Sequence, residues 1–254
     1  MLILLYILIF SFLGSVVSLI GGILLLVKEK FAIKISHYLT SFAAGTLLGT
    51  VFFDLLPEAQ EAANGNKEVD VFLWVLIGIL IFFLLERFIH HHGHGKNHED
   101  KKSVIPLIMI GDSLHNFIDG VAMAATFLVS IPLGIVTSLA VAAHEIPQEI
   151  GDFGLMLHKG VPRKRVVLLN FYSALAALAG AILTYLSKDL IQGLLPVILA
   201  LTSGFFIYIA ATNLIPEIHL QENRKIAFWE TVCLFIGVLV IYFTINVLSN
   251  NFSL

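Results

Sequence analysis

Charge is scarce in this chain. Asp, Glu, Lys and Arg make up 13% of its 254 residues, against about a quarter in a soluble domain, while 58% are hydrophobic. That balance excludes an ordinary water-soluble enzyme. A single cysteine, Cys233, excludes a disulfide framework. There is no basic tract interleaved with aromatics, and the net charge is -3, so nothing points to nucleic acid. No stretch reads as a soluble second domain, and residues 1–254 read as one transmembrane domain. The first 27 residues lack a basic start and exceed the apolar core of a signal peptide, so they read as a retained span.

What the chain has is long apolar runs. Stretches of about 20 such residues are candidate spanning helices. They fall at 2–27, 36–57, 70–90, 104–129, 132–158, 164–187, 190–214 and 226–249. The fold class is therefore all-α integral membrane, with eight transmembrane helices. Thirteen of the fifteen Lys and Arg follow spans one, three, five and seven. The positive-inside rule puts those loops in the cytoplasm and both termini outside. The expected location is the plasma (inner) membrane, in contact with lipid. The opposite mouth, with Glu58, Glu61, Glu68 and Asp70, is acidic.

An internal repeat runs through the pattern. Gly45, Asp54, Leu55, Pro57 and Glu58 of span two match Gly204, Asn213, Leu214, Pro216 and Glu217 of span seven, each offset by 159 residues. Span two runs outward and span seven inward, so the repeat is inverted, a plan of secondary transporters. Helices 1–3 and 6–8 then flank a central pair, 4 and 5.

That central pair holds the costly residues: Asp112, His115 and Asp119 in span four, and His144, Glu145, Glu149 and Asp152 in span five. Ionisable groups at bilayer depth mark function by default. His115 lies 15 residues before Ser130 and His144 lies 14 after it. Folded at that turn, both sit about 20 Å below it, near the midplane. Asp112, His115 and Asp119 share one helical stripe, with Asn116 beside it. His144 pairs with Gln148 and Glu145 with Glu149 at i,i+4. Pro147 removes a backbone donor from span five and frees the Ala143 carbonyl, which predicts a bend beside His144. Imidazoles with carboxylates suit a divalent transition metal, and mixed N/O donors admit Zn²⁺, Fe²⁺, Mn²⁺, Co²⁺ and Cd²⁺.

The alternative is an intramembrane metal-dependent hydrolase, because His144-Glu145-x-x-Gln148 approaches the zinc protease string His-Glu-x-x-His. Gln148 stands where that string needs its second imidazole. The tract at about 90–103, with His90, His91, His92, His94 and His98, reads as a cytoplasmic loop that binds metal weakly. Asp54 and Glu58 outside, with Asp112 and Asp152 further in, read as pathway residues that attract a cation.

His115-Asn116-Phe117-Ile118-Asp119-Gly120 resembles the span-four signature of the ZIP (Zrt/Irt-like) metal transporters. His144-Glu145-Ile146-Pro147-Gln148-Glu149 resembles their span-five signature. The likeness extends to Ser41-Phe42-Ala43-Ala44-Gly45, to Leu55-Leu56-Pro57-Glu58, to Leu85-Glu86-Arg87 and to the histidine tract. The resemblance implies a zinc-preferring transporter, not an enzyme, that moves divalent metal toward the cytoplasm and that is often a homodimer. It implies a first metal position at His115, Asp119, His144 and Gln148, and a second at Asn116, Glu145 and Gln148 with Glu149 nearby. Gln148 replaces the usual His or acid. A neutral amide is a poorer ligand and cannot bridge two cations as a carboxylate does. Asp54 stands where this branch often has His.

Overall fold

The computed structural model describes residues 2–63, 69–93 and 104–252, and among these there is no β-strand. We label the helical stretches in chain order: α1 Leu2–Val27, α2 Glu29–Ala63, α3 Val71–Gly93, α4 Val104–Val129, α5 Ile131–His158, α6 Arg163–Leu186, α7 Lys188–His219 and α8 Arg224–Phe252. Among the described residues, α1, α2, α6 and α7, with Arg224–Leu248 of α8, are long and apolar enough to cross a membrane. The helices α4 and α5 carry the ionisable set instead.

Helix ends depart from the apolar runs. The second helix starts at Glu29 and ends at Ala63, beyond 36–57, and the seventh continues to His219. Apolarity marks only the part that lipid would touch. Lys and Glu are good helix formers, so the backbone ladder continues through Lys30 and Lys34 into the polar region. The third helix likewise carries its backbone through His90, His91 and His92 to Gly93, where a loop was expected. The rest of the histidine tract, 94–103, lies outside the described residues.

Among the described residues three π turns interrupt the helices, at Phe12–Val16 of α1, Val51–Leu55 of α2 and Ile209–Leu214 of α7. Such turns insert a residue into the ladder and rotate the face that follows. Pro147 lies inside α5, which is helical from Ile131 to His158.

In the bundle, α4 packs along α5 and α6, α1 against α5, α2 against α5 and α8, and α3 against α7. Small residues permit these approaches. A Cβ on Gly120 would run into the Ala177 carbonyl of α6, and one on Gly45 into the Leu234 carbonyl of α8.

Two caps fix the central pair. Ser130 breaks the chain with an extended backbone, and its hydroxyl accepts a hydrogen bond from Leu133 N–H at 3.2 Å. This is an N-cap with Pro at the start of the helix. It turns α4 back as α5 in one residue and sets the register between them. At the other end Gly160 takes φ 81, with Val161 N–H donating to Met156 O and Gly160 N–H to Leu157 O. This is a Schellman stop.

Candidate metal centre

The turn at Ser130 brings the two clusters to one level, as the residue count requires. His115 Nε2 lies 3.2 Å from His144 Nε2. Asp119 Oδ2 lies 3.6 Å from the first nitrogen and 3.1 Å from the second. Glu145 Oε1 lies 3.5 Å and 3.8 Å from the same two. Four donor atoms thus stand within 4.8 Å of one another.

Those separations have the size of a coordination polyhedron. Zinc bonds of about 2.0–2.1 Å in a tetrahedron put ligand atoms roughly 3.3–3.4 Å apart. Five of the edges run from 3.1 to 3.8 Å. Two of them, His115 to His144 and His144 to Asp119, are also hydrogen-bond distances. Both Glu145 carboxylate oxygens are buried with no hydrogen-bond partner. A buried charge of that kind needs a partner or an ion.

The imidazoles are held ready. His144 Nδ1 is 3.0 Å from the Ala140 carbonyl, one turn back on its own helix. Nδ1–H donating there leaves Nε2 with its lone pair toward Asp119 and His115, the usual outer-shell device for a metal-binding histidine. Phe82 of α3 sets its ring edge against His115, with centroids at 5.6 Å, and Phe206 of α7 stands 6.0 Å from His144. These rings wall two sides of the centre.

Gln148 and Asn116 have a different attachment. Both amide nitrogens donate to Asp112 Oδ1, at 3.3 Å and 3.0 Å, and Asn116 donates also to the Asp112 carbonyl at 3.1 Å. The amide nitrogens being occupied, the carbonyl oxygens turn away from Asp112. Asn116 Oδ1, Asp112 Oδ2 and both Glu149 carboxylate oxygens are buried without hydrogen-bond partners. By helical spacing these oxygens lie about one turn from the first group.

A cavity of ≈ 660 Å³ reaches this centre. Its wall includes His115, His144, Asp112, Gln148 and Asp152, and it extends to Ser36, Lys159 and Glu217 at the Gly160 end of the bundle. Asp54 and Glu58 do not line it. Asp54 sits in the π turn of α2, half-buried, with one carboxylate oxygen unpartnered. The approach through these two residues is thus not part of the same space. His37 and Glu230, which no sequence pattern joins, stand 3.6 Å apart between α2 and α8.

A helical bundle with apolar spans, a buried group of imidazoles and carboxylates, and a cavity that reaches it define a metal-handling integral membrane protein. The chain belongs to the ZIP zinc transporter family, whose model matches residues 2–106 and 104–244. It is 35% identical over 216 residues to "Zinc transporter ZIP13" of Pongo abelii, covering 80% of this chain and 64% of that protein. It is 29% identical to "Zinc transporter ZIP13 homolog" of Drosophila melanogaster, covering 91% of this chain and 86% of the other. Likeness to "Zinc transporter ZIP4" of Mus musculus is 30%, covering 80% of this chain and 42% of that protein. The family is one of transporters, and these relatives lend no support to the hydrolase reading.

Proposed function

We propose that this chain carries Zn²⁺ across the membrane toward the cytoplasm, with His115, Asp119, His144 and Glu145 as the midway binding group. The observation that carries the reading is the set of donor separations, 3.1 to 3.8 Å, which are of the size of the edges of a zinc tetrahedron. The names of its relatives agree in substrate. The same N/O donors would pass Fe²⁺, Mn²⁺, Co²⁺ and Cd²⁺ more weakly or more tightly by ligand softness.

The direction rests on two supports. The cavity extends to Ser36, Lys159 and Glu217, at the ends that the Lys/Arg distribution assigns to the cytoplasm. The acidic outer mouth, with Glu58 and Asp54, would gather cations on the other side. Release then runs from the central four, past Gln148 and Asp152, to that inner mouth. Asn116, Gln148 and Glu149, organised by Asp112, would give the ion a second resting place of oxygen ligands. Two adjacent weak positions favour movement over retention.

Eight spans with an inverted repeat complete the proposal. Its supports go beyond the span-two and span-seven motifs. Gly78 and Gly237 share the 159-residue offset of Gly45 and Gly204. A Cβ on Gly45 would meet the Leu234 carbonyl and one on Gly237 the Phe42 carbonyl, across α2 and α8. Their counterparts do the same across α7 and α3: Gly204 against Val75 and Gly78 against Leu201. The π turns at Val51–Leu55 and Ile209–Leu214 also correspond under that offset. Both termini then lie outside the plasma membrane, and a homodimer is the expected assembly.

The test is zinc uptake into proteoliposomes that hold a zinc-sensitive dye. The wild-type chain should load the vesicles, and His115→Ala with Glu145→Ala should not. Uptake by that variant at the wild-type rate would overturn the proposal.

A further inference from the structure

The two imidazoles of the centre are anchored unequally. His144 is buried, and its Nδ1 reaches the Ala140 carbonyl on its own helix at 3.0 Å. His115 makes its polar contacts through Nε2, to His144, Asp119 and Glu145, and among the described residues no backbone carbonyl takes its Nδ1. The torsion that turns an imidazole about its Cβ–Cγ bond is soft. A metal-binding histidine is ordinarily fixed by a hydrogen bond from its other nitrogen. His115 therefore needs another restraint, all the more because it stands in the cavity wall with part of its side chain exposed.

That restraint is a ring. Phe82 of α3 meets the His115 imidazole at 84°, with centroids 5.6 Å apart. This is the edge-to-face arrangement that aromatic pairs favour. Phe82 is itself held, for Phe205 and Tyr208 of α7 pack on it with centroids at 5.6 Å and 5.4 Å. Tyr208 is the last residue before the π turn Ile209–Leu214, and Ile209, Asn213 and Leu214 of that turn line the cavity. A row of rings thus runs from α7 through α3 to the ligand on α4. The closest approach of α3 to α7 is made one turn earlier, where Gly78 and Gly204 bring backbone against backbone. Phe82 reaches beyond that contact to α4.

We propose that Phe82 is a positioning residue for zinc binding, whose ring holds the His115 imidazole in the orientation that offers Nε2 to the ion. It touches the ligand and not the ion, and its role rests on the reading of His115 as a ligand given above. The two histidines then have different parts. His144, tied to its own helix, is the fixed ligand. His115 is the one that lets go, because its restraint belongs to α3 and α7 and loosens when those helices shift against α4 and α5.

The experiment is a double-mutant cycle on the full chain, with His90, His91, His92, His94 and His98 changed to Asn so that the histidine tract binds no zinc. Zinc affinity is read by competition with a chelating dye. Phe82→Leu should weaken binding by roughly 3- to 10-fold, the strength of one edge-to-face ring contact. The same change on a His115→Ala background should cost under about twofold, since no imidazole is left for the ring to hold. A ring that served packing alone would cost the same on both backgrounds. Phe82→Tyr, which keeps the ring, should recover most of the affinity. Phe205→Leu removes the backing but not the ring; it should weaken binding in the same direction, with His115 present only, and it carries the test if Phe82→Leu does not fold. Wild-type affinity in these leucine variants, or an equal loss on both backgrounds, overturns the proposal. Zinc uptake by His115→Ala with Glu145→Ala reads the transport proposal separately. Uptake lost there, with no coupling between Phe82 and His115, sinks the positioning role and leaves the centre standing. Uptake retained there removes the centre, and the role of Phe82 with it.

Discussion

His115 and His144 present their Nε2 atoms to each other at 3.2 Å across the α4–α5 pair. With His144 Nδ1–H on the Ala140 carbonyl, the facing nitrogen carries a lone pair. The His115 nitrogen that faces it can donate to that lone pair as N–H or share a cation with it. Asp119 and Glu145 stand on the same side. On the reading proposed above, a cation would complete this group, whose Glu145 oxygens no hydrogen bond reaches.

His144→Ala should therefore cost more than any one outer-shell change. Outer-shell substitutions typically cost 10–100-fold in metal affinity, and removal of this ligand should lower zinc affinity by roughly 100-fold or more. Competition against a chelating dye measures it on the purified protein. Affinity within a few-fold of wild type would mean that the imidazole is packing rather than a ligand.

Asp112 acts through its neighbours. It accepts from both the Asn116 and the Gln148 amide, so it decides which way their carbonyl oxygens face. Asp112→Ala strands two amide donors, a loss of about 1–3 kcal/mol for each left unpaired in the interior. Zinc uptake should fall by about 10–100-fold through misorientation, with the central four still able to bind. Concentration dependence of uptake, together with zinc titration, separates these. Unchanged uptake in Asp112→Ala would show that the two amides need no guide.

The central level was legible because helical rise is a ruler and Ser130 a fixed zero. Counting outward from the turn put His115 opposite His144, and the structure brings them into contact. Faces followed from i,i+4 spacing, as with His115 and Asp119. The π turns at Val51–Leu55 and Ile209–Leu214 were not legible, since no residue type announces an extra residue in a helical ladder. Nor was the pairing of His37 with Glu230. Those residues lie at opposite ends of the chain, and only the packing of α2 on α8 joins them. The amides of Asn116 and Gln148 read as ligands by resemblance, and their grip on Asp112 came only from the folded chain.

Ser130 sets the register on which the centre depends. Its hydroxyl caps α5 by accepting from Leu133 N–H. Ser130→Ala removes the cap and should cost about 0.5–2 kcal/mol of stability. Thermal unfolding in detergent should register the loss. Ser130→Asp, which keeps an acceptor, should recover most of it. Equal stability of the alanine variant and wild type would mean that Pro132 alone fixes the turn.

The glycine contacts make the sharpest test of the packing. A methyl group on Gly45 would have to displace the Leu234 carbonyl, and on Gly237 the Phe42 carbonyl, so α2 and α8 would part. Overpacking of this kind costs about 1–3 kcal/mol, and backbone on both sides leaves little room to relax. Gly151 of α5 meets nothing within 4 Å of the same added atom, so Gly151→Ala serves as the control. Gly45→Ala and Gly237→Ala should each lower the unfolding temperature, and Gly151→Ala should hold or raise it, since alanine is the better helix former. Gly204→Ala and Gly78→Ala should repeat the loss across α7 and α3, where the blocking atoms are the Val75 and Leu201 carbonyls. If the four contact variants proved as stable as Gly151→Ala, the close approach of these helices would be wrong, and the symmetry argued from it would fall with it.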